Sequence, residues 1–419
     1  MIFLKRKIRI LLLLSILFIV YIYVSYITLF PKTILLLQGE KLDLASLWGI
    51  NFEEKENSNP NIGSYKAETL LQTSSDVEKN EINNLGKISL NLSLFNSLNL
   101  KEVSVNIIPK TTVIPLGNAI GLKLYTEGVL IVGMSQIEGE KPYENTGIKE
   151  GDRIVEINSI KISSTDDLIE TVNSSKGKEV IVKYIRNDVE ETASMIPVKT
   201  TNNEYKLGLW VRDAAAGVGT ATFYVPSTGM FASLGHGISD IDTEKLVTIS
   251  NGELVTTEIV HIEKGEKGKP GEIKGSIEGA TKIGDIYKNT SFGVFGKVTN
   301  KSRLNLQNKE IEILSRDEIK KGKAQIICEL ENGRKNYYDV EIEKIYTNNQ
   351  KDNKSMLIKV TDERLLEKTG GIIQGMSGSP IIQDGKFVGA ITHVLVNDPT
   401  SGYGVFADMM LKQIAQIDS

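Results

Sequence analysis

The chain has 419 residues, 40% of them apolar, which is long enough for two or three domains with real cores. Of its 49 basic residues, Lys5, Arg6, Lys7 and Arg9 fall in the first nine positions, and the remaining 45 face 53 acidic residues. An acidic body without a basic stripe excludes a nucleic-acid-binding role, and a single cysteine, Cys328, excludes an intramolecular disulfide and a cysteine metal cluster.

Residues 1–32 read as a membrane anchor. Ile10 to Phe30 is uncharged and rich in Leu, Ile, Val and Tyr, close to the ~20 residues that a spanning helix needs. The basic cluster ahead of it predicts a cytoplasmic N-terminus and an exported body. The bulky run Thr28-Leu29-Phe30-Pro31 offers no small-residue cleavage site, so an uncleaved signal anchor is expected, with a cleaved signal peptide as the alternative. Residues 33–84 read as a juxtamembrane segment followed by a flexible tether. Glu53 to Asn84 is rich in Asn, Glu, Ser and Lys with few large apolar residues, a composition that does not bury a core and that is open to proteolysis, including by this chain. Residues 85–114 alternate apolar and polar, as in Lys87-Ile88-Ser89-Leu90-Asn91-Leu92, and predict a strand-rich connector.

Residues 115–200 form a second unit. Its most specific feature is Gly147-Ile148-Lys149-Glu150-Gly151-Asp152-Arg153-Ile154-Val155-Glu156-Ile157-Asn158, in which the glycines permit a tight turn before a strand and the isoleucines face a core. Asp166 to Ser175 has helical spacing, with Asp166 and Asp167 suited to its first turn. Val180 to Arg186 reads as a closing strand. This unit resembles a PDZ domain. The resemblance implies that backbone N–H groups of a loop, here Ile120-Gly121-Leu122, capture a peptide carboxylate or an extended segment that pairs as an added strand; a domain that only positions its neighbour is the alternative.

Residues 201–419 are strand-like with glycine-bounded turns. Gly217 to Val225 predicts a strand, Pro226-Ser227-Thr228-Gly229 a turn, and Met230 to Leu234 a returning strand that delivers Gly235-His236-Gly237. Regular short strands with few helices predict a barrel or sandwich. Near the C-terminus, Gly375-Met376-Ser377-Gly378-Ser379-Pro380 ends a loop, and a hairpin follows at once. A serine so presented points to acyl transfer, which needs a base, an orienting group and N–H donors for the oxyanion. Only three histidines are available. His236 is flanked by glycines at a strand end and is the expected base. His261 reads as a solvated surface residue. His393 follows the serine hairpin and, with Thr392, is expected to flank a substrate cleft. The order His236, acid, Ser377 is that of the chymotrypsin-type triad, with the N–H groups of Gly375 and Ser377 as oxyanion donors. Asp362, fifteen residues before Ser377, competes for the acid with Asp240, Asp242 and Glu363. The architecture expected is mainly β: an N-terminal transmembrane helix, an α+β PDZ domain and a trypsin-like double β-barrel. No metal or cofactor is called for.

The anchor, the PDZ unit, Ser233-Leu234-Gly235-His236-Gly237-Ile238-Ser239-Asp240, Gly370 to Gln383 and Thr392 to Gly404 together resemble the SpoIVB peptidase family. The resemblance implies a serine endopeptidase of sporulation signalling, held in the forespore inner membrane with its body facing the intermembrane space. It implies that the enzyme cuts its own N-terminal tether and then a membrane regulator of an intramembrane protease, triggering a late mother-cell sigma factor. It also matches the family's acid to Asp362. A non-catalytic PDZ adaptor on an inactive protease fold is the main rival. An HtrA-like quality-control protease is disfavoured, because there the protease precedes the PDZ domain.

Overall fold

The computed structural model describes residue 21 and residues 33–37, 50–54, 86–94, 98–108, 111–304, 306, 308–346 and 353–417. Among them no helix is long and apolar enough to cross a membrane; the anchor expected at residues 10–30 lies, Tyr21 apart, outside the described residues. The chain divides into two compact units, residues 1–111 and 112–419.

In the first unit, strands β1 (Thr33–Leu37), β2 (Ile50–Glu54), β3 (Gly86–Leu94) and β4 (Leu98–Ile108) form one sheet in the order β1-β4-β3-β2. The alternation read in residues 85–114 becomes the β3–β4 hairpin. Two strands fall in the segment read as juxtamembrane, β1 in parallel with β4 and β2 antiparallel to β3, with β2 reaching two residues into the expected tether.

The second unit opens with β5 (Thr112–Pro115) and the long β6 (Ala119–Met134). The PDZ part follows: β7 (Arg153–Ile157), β8 (Ile160–Lys161), helix α1 (Thr165–Ser174), β9 (Val180–Arg186) and β10 (Val189–Met195). The isoleucines of the sequence motif lie inside, with Ile148, Ile154 and Ile157 in one apolar cluster with Val129, Val180 and Leu207. Asp152 has a structural use that the motif did not reveal. Its buried carboxylate accepts from Lys149 N (2.7 Å) and from Arg186 Nε and Nη2 (2.8 and 2.6 Å), which closes the turn onto β9. Helix α1 starts at a capping box, Ser164 with Asp167, so its two acids serve the first turn as expected.

After β11 (Val198–Lys199) and β12 (Tyr205–Lys206) comes β13 (Leu209–Val225), then β14 (Met230–Ser233), β15 (Ile249–Thr256), the hairpin β16 (Glu258–Glu263) and β17 (Glu272–Ser276), β18 (Lys282–Thr290) and β19 (Gly293–Val298). The pairing order β6-β15-β18-β19-β14-β13 returns to β6, so six strands close into a ring. Its inside is apolar: Ile120, Leu122, Leu124, Phe231, Leu254 and Ile286 pack in one cluster. The short β20 (Ile311–Glu312) leads to a second closed barrel. This comprises β21 (Gly322–Glu331), β22 (Arg334–Ile345), β23 (Met356–Val360), β24 (Pro380–Gln383), β25 (Lys386–Leu395) and β26 (Asp398–Phe406). Helix α2 (Glu363–Thr369) interrupts the β23–β24 connection and α3 (Ala407–Ala415) closes the described chain. Phe223 of β13 and Phe387 of β25 meet edge to face at 5.2 Å, which ties the barrels together. Cys328 is a packed thiol on β21, and burial pushes it up to about 12, too high to furnish a nucleophilic thiolate at neutral pH.

The long β6 overturns one expectation. Ile120, Gly121 and Leu122 are not a peptide-capture loop. They pair with β13 on one side (Gly219, Val218 and Gly217) and with β15 on the other (Thr256, Val255 and Leu254). Ile120 and Leu122 point into the barrel core, and a side chain at Gly121 would meet Ile277 and Val255. A strand paired on both edges has no ladder left for a ligand.

Candidate active site

His236 follows two consecutive residues in left-handed backbone, Leu234 (φ 68°) and Gly235 (φ 69°). Glycine accepts this region freely, whereas a bulky side chain does so only under surrounding constraint. That constraint is visible, since Leu234 is buried and its Cδ2 fills the space a side chain on Gly219 would need. The reversal turns the chain away from β14 and leaves His236 on the wall of an open cleft of about 320 Å³, with Ser291, Asn353, Lys354 and His393 among its lining residues. The His236 and His393 rings lie 4.9 Å apart.

His236 Nδ1 lies 2.8 Å from Gly237 O. A carbonyl oxygen only accepts, so Nδ1 carries the proton and Nε2 keeps its lone pair. Burial lowers the pKa of the ring below the usual histidine value, against the Gly237 carbonyl, which favours the charged form. His236 is therefore neutral at pH 7 with its basic nitrogen available.

Ser377 sits where the second barrel's loop touches the first barrel. A side chain at Gly378 (φ 97°) would lie 2.1 Å from Thr220 O and 2.6 Å from Leu234 N, so only glycine allows this approach. Ser377 Oγ donates to Thr392 O (2.6 Å). Thr392 is buried, its own hydroxyl donates to Asn353 O (3.2 Å), and its methyl lies against Gly235. Thr392 and His393 thus connect the serine to the histidine: Ser377 is bonded to the first, and His236 stacks on the second. The N–H groups of Met376, Gly378 and Ser379 donate to Ile373, Ile391 and Met376 carbonyls. Those of Gly375 and Ser377 have no backbone acceptor among the described residues.

The acid is a different matter. Asp362 caps helix α2, accepting from Arg364 N and Nε (both 3.0 Å), Arg364 Nη2 (2.7 Å) and Asp339 N (3.1 Å). The Arg364 guanidinium holds its pKa down to about 2, against partial burial. Asn353, on the His236 cleft, precedes β23, and Asp362 follows it. That five-residue strand separates its two ends by about 13 Å at ~3.3 Å per residue. Among the described residues, no hydrogen bond or ion pair joins Asp362 to His236; its carboxylate is taken by Arg364 and Asp339 N. The competitors do not replace it. Asp240 and Asp242 are paired with Arg212 (2.6 and 2.8 Å), Asp240 also caps the turn at Asp242 and Thr243, and Glu363 belongs to α2. The described cleft lining contains no carboxylate. The orienting contact on His236 is a backbone carbonyl, which no residue-type pattern announces.

The SpoIVB peptidase S55 family model matches residues 203–411, and a PDZ domain model matches residues 116–196. The chain belongs to the SpoIVB peptidase S55 family. It joins a PDZ-domain match to the peptidase-family match. Curated proteins similar to this S55 peptidase include two that bear the name zinc metalloprotease. One, from Lactococcus lactis, is 29% identical over 108 residues, and one from Staphylococcus aureus is 32% identical over 81. The alignments cover 26% and 19% of this chain, which spans only 24% and 19% of those relatives' length. Among solved structures, the active form of the Rv3671c protease from Mycobacterium tuberculosis aligns at 12% identity, covering 61% of this chain and 88% of that one, with a TM-score of 0.28. The PDZ domain of the SdrC-like protein from Listeria monocytogenes aligns at 22% identity over 20% of this chain and 87% of that one, TM-score 0.18.

The S55 peptidase holds a second hydrophobic–Gly–hydrophobic tripeptide, Leu207-Gly208-Leu209, at the start of β13. Gly208 (φ 73°) admits no side chain, since a Cβ would lie 2.5 Å from Ser135 O. The N–H groups of Leu207 and Gly208 have no backbone acceptor among the described residues. From there β13 runs antiparallel along α1: Tyr205 N donates to Asn173 Oδ1 (2.8 Å) at one end, and Thr165 N to Asp213 Oδ2 (2.6 Å) at the other. These bonds hold the strand and the helix side by side at both ends.

Proposed function

We propose that this chain is a membrane-anchored serine endopeptidase of sporulation signalling that cuts its own N-terminal tether and then a protein regulator of an intramembrane protease. The observation that carries the catalytic part is the convergence of Ser377 and His236 on Thr392–His393, beside the N–H groups of Gly375 and Ser377. Ser377 Oγ leaves the Thr392 carbonyl and adds to the scissile carbonyl carbon, and its proton passes to His236 Nε2. The oxyanion takes the two N–H groups. The C–N bond breaks as His236 returns the proton to the departing amine, and water then hydrolyses the acyl ester by the same route. The Gly237 carbonyl orients the imidazole in the role usually given to a carboxylate. The PDZ unit takes an extended protein segment along β13, with the Leu207 and Gly208 N–H groups meeting a terminal carboxylate.

The anchor, the forespore inner membrane and the identity of the regulator rest on the sequence resemblance. The test is a fluorophosphonate probe on the full chain, with mapping of its mature N-terminus. Labelling and self-cleavage that both vanish in Ser377→Ala, and in His236→Ala but not in His393→Ala, support the proposal. A wild-type chain that never labels favours the adaptor reading.

A further inference from the structure

The two N–H groups that would receive the oxyanion belong to a loop of the second barrel, yet the groups that orient this loop come from the first. The hairpin β16–β17 reaches across to it. Gln374 N donates to Gly271 O, and Ile273 N donates to Gln374 O (both 2.8 Å). Ile262 and Ile273 are partners in the hairpin, and the Ile273 N–H is turned outward to the loop. The same hairpin is fastened at Gly265 N to Thr369 O and Gly268 N to Val396 O. In a trans peptide the C=O and N–H point in opposite directions. Holding the Gln374 carbonyl on the β17 side therefore aims the Gly375 N–H away from β17. The Ile273 side chain lies directly on Gly375, where an added Cβ would be 2.9 Å from Ile273 Cβ.

The other side of the loop is held by a single residue. Thr220 Oγ1 donates to Gly375 O (2.7 Å) and Thr220 N to Ser377 O (3.0 Å). Thr220 is buried and sits midway along β13. The Gln374 carbonyl is thus taken by β17 and those of Gly375 and Ser377 by β13, and Met376 N is taken by Ile373 O. The Gly375 N–H shares its peptide plane with the Gln374 carbonyl held by β17, and the Ser377 N–H shares its plane with the Met376 carbonyl, which Ser379 N holds at 2.9 Å; Thr220 fixes the planes on both sides of that one, so it cannot flip alone.

We infer that Thr220 and the Gly271–Ile273 segment of β17 are positioning elements of the oxyanion hole. They touch no substrate; the β17 segment sets the plane that carries the Gly375 N–H, and Thr220 clamps the planes on either side of the one that carries the Ser377 N–H. This rests on the serine-peptidase reading of the site. Removing one oxyanion donor costs on the order of 10²–10³ in kcat, so loosening the loop that carries two of them is expected to cost about tenfold or more.

The experiment compares wild type, Thr220→Val and Thr220→Ser as full chains. The valine keeps the shape and the backbone N–H but loses the hydroxyl; the serine keeps the hydroxyl. Measurements are kcat and KM for p-nitrophenyl acetate, the inhibition constant of benzeneboronic acid, which becomes a tetrahedral anion on the serine, and fluorophosphonate labelling. Thr220→Val should lose about tenfold in kcat with KM within about twofold, and the boronate constant should rise by the same factor. Thr220→Ser should stay near wild type. As Thr220 is buried, melting temperatures check folding, and Ile273→Pro, which removes the N–H that Gln374 O accepts together with the side chain that lies on Gly375, is the second variant and should show the same split. Wild type that labels, together with folded variants whose kcat and boronate affinity are unchanged, overturns the positioning role alone. A wild type that does not label overturns the catalytic reading, and this inference with it.

Discussion

Leu122→Ala separates the two roles that residues 120–122 could have. As a ligand loop, Leu122 would matter to peptide binding and little to folding. As found, its side chain is 1% exposed and packs among Ile120, Phe231, Leu254 and Ile286 inside the first barrel. Deleting a buried leucine to alanine removes the transfer free energy and leaves a cavity, together about 2.7–5 kcal/mol. A strand tied to β13 and β15 on both edges cannot move in to refill it, so about 3–4 kcal/mol is expected. For a domain of this size, each kcal/mol lowers Tm by roughly 2–4 °C, which predicts a fall of about 6–15 °C. The assay is calorimetry or urea unfolding in a Ser377→Ala background, where self-cleavage does not intrude. Leu122→Met, which conserves volume, should cost less than about 1.5 kcal/mol. Gly208→Ala should leave the barrel transition in place and weaken capture of a C-terminal peptide. A Leu122→Ala chain that loses less than about 1 kcal/mol but no longer binds peptide would refute the reassignment.

Two pH-dependent outcomes follow from the charged groups. Burial lowers the His236 pKa, so the acid limb of kcat/KM should have its midpoint below 6.5, with full activity at pH 7; a midpoint at or above 6.5 contradicts a buried neutral base. Asp362 has a depressed folded pKa of about 2 against 3.8, so its contribution is present above about pH 4 and is lost as pH falls toward 2. Because Arg364 is largely exposed, solvent screening limits this to about 1 kcal/mol. Asp362→Asn should therefore lower the urea midpoint at pH 7 and converge with wild type near pH 2–3, whereas a loss that is the same at both would speak against the Arg364 pairing.

Much of this molecule is written locally. The Gly-x-x-x-Gly-Asp run, the caps of α1, the turn at Pro226–Gly229 and the glycine-flanked Ser377 and His236 all depend on neighbours within a few residues, and each is found where its local chemistry points. The isoleucine periodicity around Ile154 is a one-strand property and survived folding unchanged. What the sequence could not decide were questions of pairing between distant segments. Ile120–Leu122 and Leu207–Leu209 are both hydrophobic–Gly–hydrophobic strings, yet β13 and β15 take both edges of the first, whereas among the described residues β6 alone pairs with Leu209. A carboxylate fifteen residues before the serine looks close in the chain, but in the fold it caps a helix and is paired with Arg364. The groups that orient the site are backbone atoms, the Gly237 carbonyl on His236 and the Ile273 N–H on Gln374. Every residue type but proline carries both an N–H and a C=O, so only the tertiary arrangement says which of them meets the site.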